Sequence, residues 1–182
     1  MSVNRVMQMT RLIFLDTETT GLFYKNHEII EFCAIVRNEN GTTTHTFKIK
    51  PDQIDTANPY ALQINGYTPE KWKDAISQKQ AAKLISDIVK DGIVVGHNVA
   101  FDLKFIYQLM EDQDQDHEIP TASICTQEIC RTLQDDLKWS SVSMDNIRRS
   151  LGWSMEGAHT AEKDVRDLIK LYDHLKTFIA SL

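Results

Sequence analysis

The chain has 182 residues, 42% apolar and 25% charged, a composition that fits one ordinary globular domain and argues against a disordered or fibrous chain. A net charge of −6 argues against coating nucleic acid by electrostatics alone, because that mode depends on Lys and Arg displacing counterions. It does not exclude an enzyme that grips one strand end. Cys33, Cys125 and Cys130 contain no Cys-x-x-Cys pair, so reduced thiols are expected rather than a disulfide framework or a zinc site. The first ten residues lack the apolar run of a signal peptide, and no stretch approaches the ~20 apolar residues of a membrane span. A cytoplasmic protein without membrane contact is the expectation.

In chain order, Arg11 to Asp16 reads as a short buried strand, closed by a Thr-rich turn ending at Gly21. Ile29 to Val36 reads as a second strand and Thr43 to Ile49 as a third, joined at Asn40-Gly41, a strong hairpin signal. Pro51 to Pro59 is expected to be loop. Ala81, Leu84, Ile85 and Ile88 then recur at the spacing of an amphipathic helix, and Gly92 to Gly96 follows as a buried strand. Helix followed by strand predicts a crossover and a parallel pair. Asn98 is the expected cap of the next helix, whose stripe is Phe101, Phe105 and Leu109, with Asp102 beside it. Five acids between Glu111 and Glu118 read as a solvated loop rather than a calcium loop. Short helices are predicted over Gln127 to Leu133 and Ser143 to Leu151. A long one starts near Thr160, with Ala161, Val165, Leu168, Tyr172, Leu175 and Ile179 as its buried stripe.

Acidic residues stand where apolar segments meet turns. Residues i and i+2 of a strand share a face, so Asp16 and Glu18 are near neighbours and Thr17 points away. His159 and Asp164 are five apart, which within one helix would separate them by about 140°. They can meet only if His159 lies just outside the helix, with Gly157 before it and Thr160 as the cap. Crowded carboxylates repel by roughly 4 kcal/mol at 4 Å in a partly buried site. Divalent cations would relieve that, and the chemistry such a cluster suits is phosphoryl transfer with two ions and histidine as proton acceptor. An oxygen-rich site favours Mg²⁺ or Mn²⁺ over zinc.

Leu15-Asp16-Thr17-Glu18-Thr19-Thr20-Gly21-Leu22, Gly96-His97-Asn98 through Phe101-Asp102, and His159 with Asp164 together resemble the three motifs of the histidine branch of the DEDD exonuclease superfamily. That branch contains polymerase proofreading subunits, ribonuclease T and oligoribonuclease. The similarity runs through about residues 11 to 172 in unbroken order, and three motifs in register are far more specific than one. It implies an α/β, ribonuclease-H-like fold: a mixed five-stranded sheet, an antiparallel meander followed by parallel strands, flanked by helices, with residues 1 to 182 as one exonuclease domain. It also implies hydrolysis of nucleotides from a free, single-stranded 3′ end with two Mg²⁺ or Mn²⁺ ions, DNA favoured over RNA, by a monomer or homodimer. By the same resemblance Asp16, Glu18, Asp102 and Asp164 would hold the metals and His159 would be the general base. Thr19, Thr20, Leu22 and Phe101 would contact the terminal nucleotide. Asn65 stands where family members often carry His, and Cys125 where they often carry Asp; neither position is a metal ligand, so substrate fit is touched more than chemistry. Three readings compete: an RNA-specific exoribonuclease, a phosphoesterase for small nucleotides, and a non-catalytic binding module. The last is disfavoured because all five catalytic positions are filled.

Other residues carry weaker signals. His97 reads as a hydrogen-bonding residue at a helix start. His27, His45, His117 and His174 read as surface residues. Phe23 and Tyr24 fit either base stacking or core packing. Arg148 and Arg149, with Lys25, Lys48, Lys71, Lys73 and Lys104, could line a strand-binding groove only if they share a face, which spacing does not show.

Overall fold

The computed structural model describes residues 11–115 and 120–182. Five strands form one sheet: β1 Leu12–Thr19, β2 Ile29–Asn38, β3 Gly41–Lys48, β4 Ile93–Gly96 and β5 Ala122–Cys125, in the spatial order β3-β2-β1-β4-β5. The first three run antiparallel, while β4 lies parallel to β1 and β5 parallel to β4. This is the mixed sheet that the motifs imply. The β2–β3 turn falls on Glu39-Asn40, where Asn38 pairs with Gly41, and Gly41 takes φ +117, a conformation few other residues adopt.

Helices cover both faces: α1 Pro59–Ile64, α2 Gln78–Val89, α3 Val99–Asp112, α4 Thr126–Thr132, α5 Gln134–Leu137, α6 Met144–Ser150 and α7 Ala161–Ile179. Side-chain alternation along β1 divides the core. Ile13 and Leu15 point into a cluster with Ala81, Ile85, Phe105 and Ile106 of α2 and α3. Phe14, on the opposite face, packs with Ala161, Val165 and Leu168 of α7. A third cluster, with Cys130, Trp139, Ile147, Leu171 and Leu175, joins α4, α6 and the far side of α7.

Several local expectations are corrected. Strand β1 continues through Asp16 and Glu18 to Thr19, because β2 pairs with it that far; the two acids sit inside the ladder rather than after it. The Pro51 to Pro59 loop contains a short 3₁₀ turn at Ile54–Thr56, and Pro59 opens α1, capped by the Asn58 side chain. Helix α2 buries Ala81, Ala82, Ile85, Ile88 and Val89, while Leu84, about 100° around the axis from Ile85, is 44% exposed. Ile179, the last residue of α7, is likewise exposed past the end of its buried stripe. Asn98 precedes α3 in a left-handed conformation, φ 74, and its side chain makes no capping bond.

All three cysteines are free, two of them buried. Among the described residues no helix is long and apolar enough to cross a membrane. Glu111 and Asp112 close α3; Asp116 to Glu118, with His117, and Met1 to Thr10 lie outside the described residues.

The α2 stripe yields a direct test. Ile85→Ala is expected to destabilise by about 2 to 5 kcal/mol, whereas Leu84→Ala should stay within about 0.5 kcal/mol of the parent. Urea unfolding of the two variants side by side checks the ordering.

Candidate active site

The alternation that divides the core also sorts the acids. Asp16 and Glu18 share the parity of Phe14 and face α7, where Asp164 lies in the early turns; one ligand oxygen from each of these three lies within 4.8 Å of the others. Thr17 has the parity of Ile13 and Leu15 and faces α3. There its backbone N–H, at 3.0 Å, and its hydroxyl, at 2.8 Å, both donate to Oδ1 of Asp102. Asp102 is buried and reaches the strand end from the opposite layer, so it stands beside the trio rather than within it.

These carboxylates resist ionisation. Burial, then Asp164, Glu31 and Asp102, pushes Glu18 up to about 8. Asp16 is raised by burial and by Asp102, Asp164 and Glu18. Burial lifts Asp102 to about 7 against the two Thr17 bonds. Asp164 is also raised by burial, against the pull of Arg148. A clustered, oxygen-only donor set short of counter-charge fits a hard divalent cation.

Arg148 is the residue whose place the sequence hid. Its guanidinium is fully buried and meets three carboxylates: Asp145 at 2.9 Å, Asp164 at 2.6 Å and Asp167 at 2.8 Å. Lys163 and Lys170 also pair with Asp167. Two spacings carried a signal: Asp145 and Arg148 are i,i+3 on α6, and Asp164 and Asp167 are i,i+3 on α7. That the two faces meet is a tertiary fact. Of the other cations once grouped with Arg148, Lys48 lies over the Trp72 ring, Lys71 bonds the Gly66 carbonyl and Lys73 pairs with Glu70.

His159 takes φ +65 immediately before Thr160, outside α7 as its spacing from Asp164 requires. Its backbone N–H donates to Asp164 Oδ1 at 3.3 Å, and its ring Nε2 lies 3.6 Å from Asp145 Oδ2 with the side chain 45% exposed. Thr160 makes no side-chain cap; its hydroxyl bonds the Gly157 carbonyl instead. His97 bonds a helix start, that of α4 rather than of α3, and ties elements together. Its two ring nitrogens lie 3.0 Å from Thr126 Oγ1 and 2.8 Å from the Val142 carbonyl. Asp16, His97, Asp145, Arg148, His159 and Asp164 line a cavity of about 320 Å³.

Near the turn, Thr19 Oγ1 donates to the Gly21 carbonyl and Thr20 Oγ1 accepts from Glu28 N–H. Asn65 donates to the Thr19 carbonyl at 3.1 Å, holding the end of α1 on the turn. Leu22 is 73% exposed, and Phe101 is half-buried against the core.

The exonuclease family model matches residues 13–172, and the chain belongs to that family. DNA polymerase III subunit epsilon of Buchnera aphidicola subsp. Acyrthosiphon pisum is 31% identical over 173 residues, covering 91% of this chain and 73% of that protein. The PolC-type DNA polymerase III of Mycoplasmopsis pulmonis is 29% identical over 170 residues, 90% of this chain but 12% of the polymerase. Escherichia coli exonuclease I in complex with a dT13 oligonucleotide superposes with a TM-score of 0.80 at 20% identity, covering 92% of this chain and 41% of that one. The chain thus spans only part of the length of these last two proteins.

Two outcomes follow from this charge arrangement. Arg148→Met leaves Asp164 and Asp167 without their shared buried partner and should lower stability by about 3 to 5 kcal/mol in urea unfolding. Glu18 binds a proton up to about 8 when folded against an ordinary value of 4.5, so its contribution to stability is complete below its unfolded pKa and is lost as pH rises through about 8. The melting temperature of chelator-treated protein should therefore fall as pH rises from about 5 to about 9, and Mn²⁺ should restore more of it at the alkaline end.

Proposed function

We propose that this chain is a metal-dependent 3′→5′ exonuclease acting on single-stranded ends, with DNA favoured over RNA. The observation that carries the reading is the Asp16, Glu18 and Asp164 trio, its ligand oxygens within 4.8 Å of one another, with His159 on the adjoining loop. The preference for DNA is supported by relatives named as DNA polymerase III components and by likeness in fold to an exonuclease seen with a DNA oligonucleotide.

Asp16, Glu18 and Asp164 would hold one cation, and Asp16 with Asp102 a second. When bound, Mg²⁺ or Mn²⁺ supplies Lewis acidity that eases ionisation of water and offsets charge developing on a phosphodiester. The protein does the rest. Asp102 and Asp164 are each hydrogen-bonded through Oδ1, by Thr17 and by Arg148 with His159 N–H respectively, which leaves Oδ2 of each available as a ligand. His159 would accept the proton of the attacking water at a ring nitrogen, and its exposed loop position gives the imidazole room to approach. Leu22 and Phe101 would flank the terminal base, and the backbone of the Thr19-Thr20 turn would meet its sugar and phosphate.

The test is a degradation time course on matched 3′-labelled and 5′-labelled DNA and RNA with Mg²⁺ or Mn²⁺ and a chelator control. Shortening from the 3′ end, faster on DNA and abolished by chelator, is expected. His159→Ala should lower kcat by about 10² to 10⁴, and Asp16→Ala should remove activity with the fold retained by circular dichroism. Full activity in both variants would overturn the assignment of the site, and faster loss of RNA would turn the substrate preference around.

A further inference from the structure

A second cavity, of about 500 Å³, shares no lining residue with the acidic one. It lies between the segment that follows the catalytic turn, Leu22 to Asn26, and the first half of α3. The two sites are joined through the chain: Leu22 follows the turn that leaves Glu18, and Phe101 directly precedes Asp102. On a helix, Phe101, Lys104 and Phe105 share one face at i, i+3 and i+4, and Asp102 is turned about 100° away.

The lining has a definite chemistry. Although the chain is rich in acidic residues, none among the described residues lines this cavity, while Lys25 and Lys104 both do. Among the described residues neither lysine forms an ion pair. Apolar and aromatic surface stands open beside them, for Leu22 is 73% and Phe23 69% exposed, while the half-buried Phe101 and the buried Phe105, their rings 4.9 Å apart, line the wall beneath. An exposed aromatic ring, Phe23, beside cations without counter-ions matches a nucleotide, whose base stacks and whose phosphate is anionic. The size falls within the range of small-ligand sites, about 300 to 1,000 Å³.

We propose that this groove binds a nucleotide upstream of the terminal one, so that an unpaired strand runs from the carboxylates past Leu22 and Phe101 onto Phe23, Lys25 and Lys104. The inference rests on the exonuclease reading and adds a substrate class to it: oligomers long enough to reach the groove, in preference to mononucleotide esters. Stacking accepts any base, so the groove selects for length and for an unpaired strand rather than for sequence.

The experiment compares the full chain with Phe23→Ala and Lys104→Ala, in Mn²⁺, on the p-nitrophenyl ester of thymidine monophosphate and on oligothymidylates from dinucleotide to octanucleotide. In the parent, kcat/KM should climb with length and then level off. Phe23→Ala should lower kcat/KM on the octanucleotide by roughly 5- to 150-fold, the equivalent of one lost stacking contact, with the ester unaffected. Lys104→Ala should reduce the slope of log KM against log salt by about 0.7, one phosphate contact on a single strand, and Lys104→Arg should restore it. Equal losses on ester and octanucleotide, or no loss on either, would overturn the groove while leaving the exonuclease reading in place. A parent that cleaves neither substrate would bring both down.

Discussion

Mutual repulsion among Asp16, Glu18, Asp102 and Asp164 is the constraint around which the rest of this fold is arranged. At an effective dielectric near 20, two such charges 4 Å apart repel by about 4 kcal/mol, and burial raises the cost of ionising each one further. A protein can hold such a group only if surrounding packing over-determines its place. Here the central strand does so, since β1 is clasped by β2 and β4 and covered by helices on both faces. The same alternation that sends Ile13 and Leu15 to one layer and Phe14 to the other delivers Thr17 to α3 and the two strand acids to α7. Hydrophobic packing and site construction are therefore one pattern.

Asp102 and Asp164 arrive from opposite layers and are secured by the same device. Among the described residues each gives one oxygen to a fixed donor and keeps the other free of hydrogen bonds: Thr17 holds Asp102, and Arg148 holds Asp164. The donors differ in charge for a physical reason. Asp102 sits at the start of α3 beside a strand whose N–H and hydroxyl can supply two neutral bonds. Asp164 shares its surroundings with Asp145 and Asp167, and three carboxylates there need a cation. A buried guanidinium satisfies all three at once because its planar fork presents several donors in fixed directions. A lysine could offer only a point charge.

What the sequence made legible was whatever depends on spacing along one element. The i,i+2 pair in β1, the placing of His159 outside α7 and the parallel strand after α2 all rest on local spacing and appear in the fold, as does the β2–β3 hairpin, whose turn falls on Glu39-Asn40, one residue before the Asn40-Gly41 signal. What it concealed depends on which faces meet. Leu84 fits the helical stripe as well as Ile85 does, and only the packing of α2 against the sheet and α3 decides between them. The short strand β5, Ala122–Cys125, carries no alternation over its four residues, and its register comes from β4. Arg148 reads as a surface cation because its partners lie 16 and 19 residues away on another helix.

His159, the proposed proton acceptor, is mounted differently from the carboxylates, and the difference has a mechanical sense. Asp16 and Glu18 belong to a central strand, and Asp102 and Asp164 to helices packed on it, so their geometry is set by rigid elements. His159 instead ends a loop with positive φ at Gly152, Gly157 and His159 itself. Two tethers bound the loop, Lys163 to the Ser154 carbonyl and the Thr160 hydroxyl to the Gly157 carbonyl. The His159 N–H is fixed on Asp164 while the ring reaches Asp145 at 3.6 Å and stays 45% exposed. The backbone of this residue is thus registered to the site and its imidazole is not locked within it. The role proposed for His159, to meet water, take a proton and release it to solvent, is served by that division, whereas the fixed separation that the proposed metal ligands need is served by the sheet.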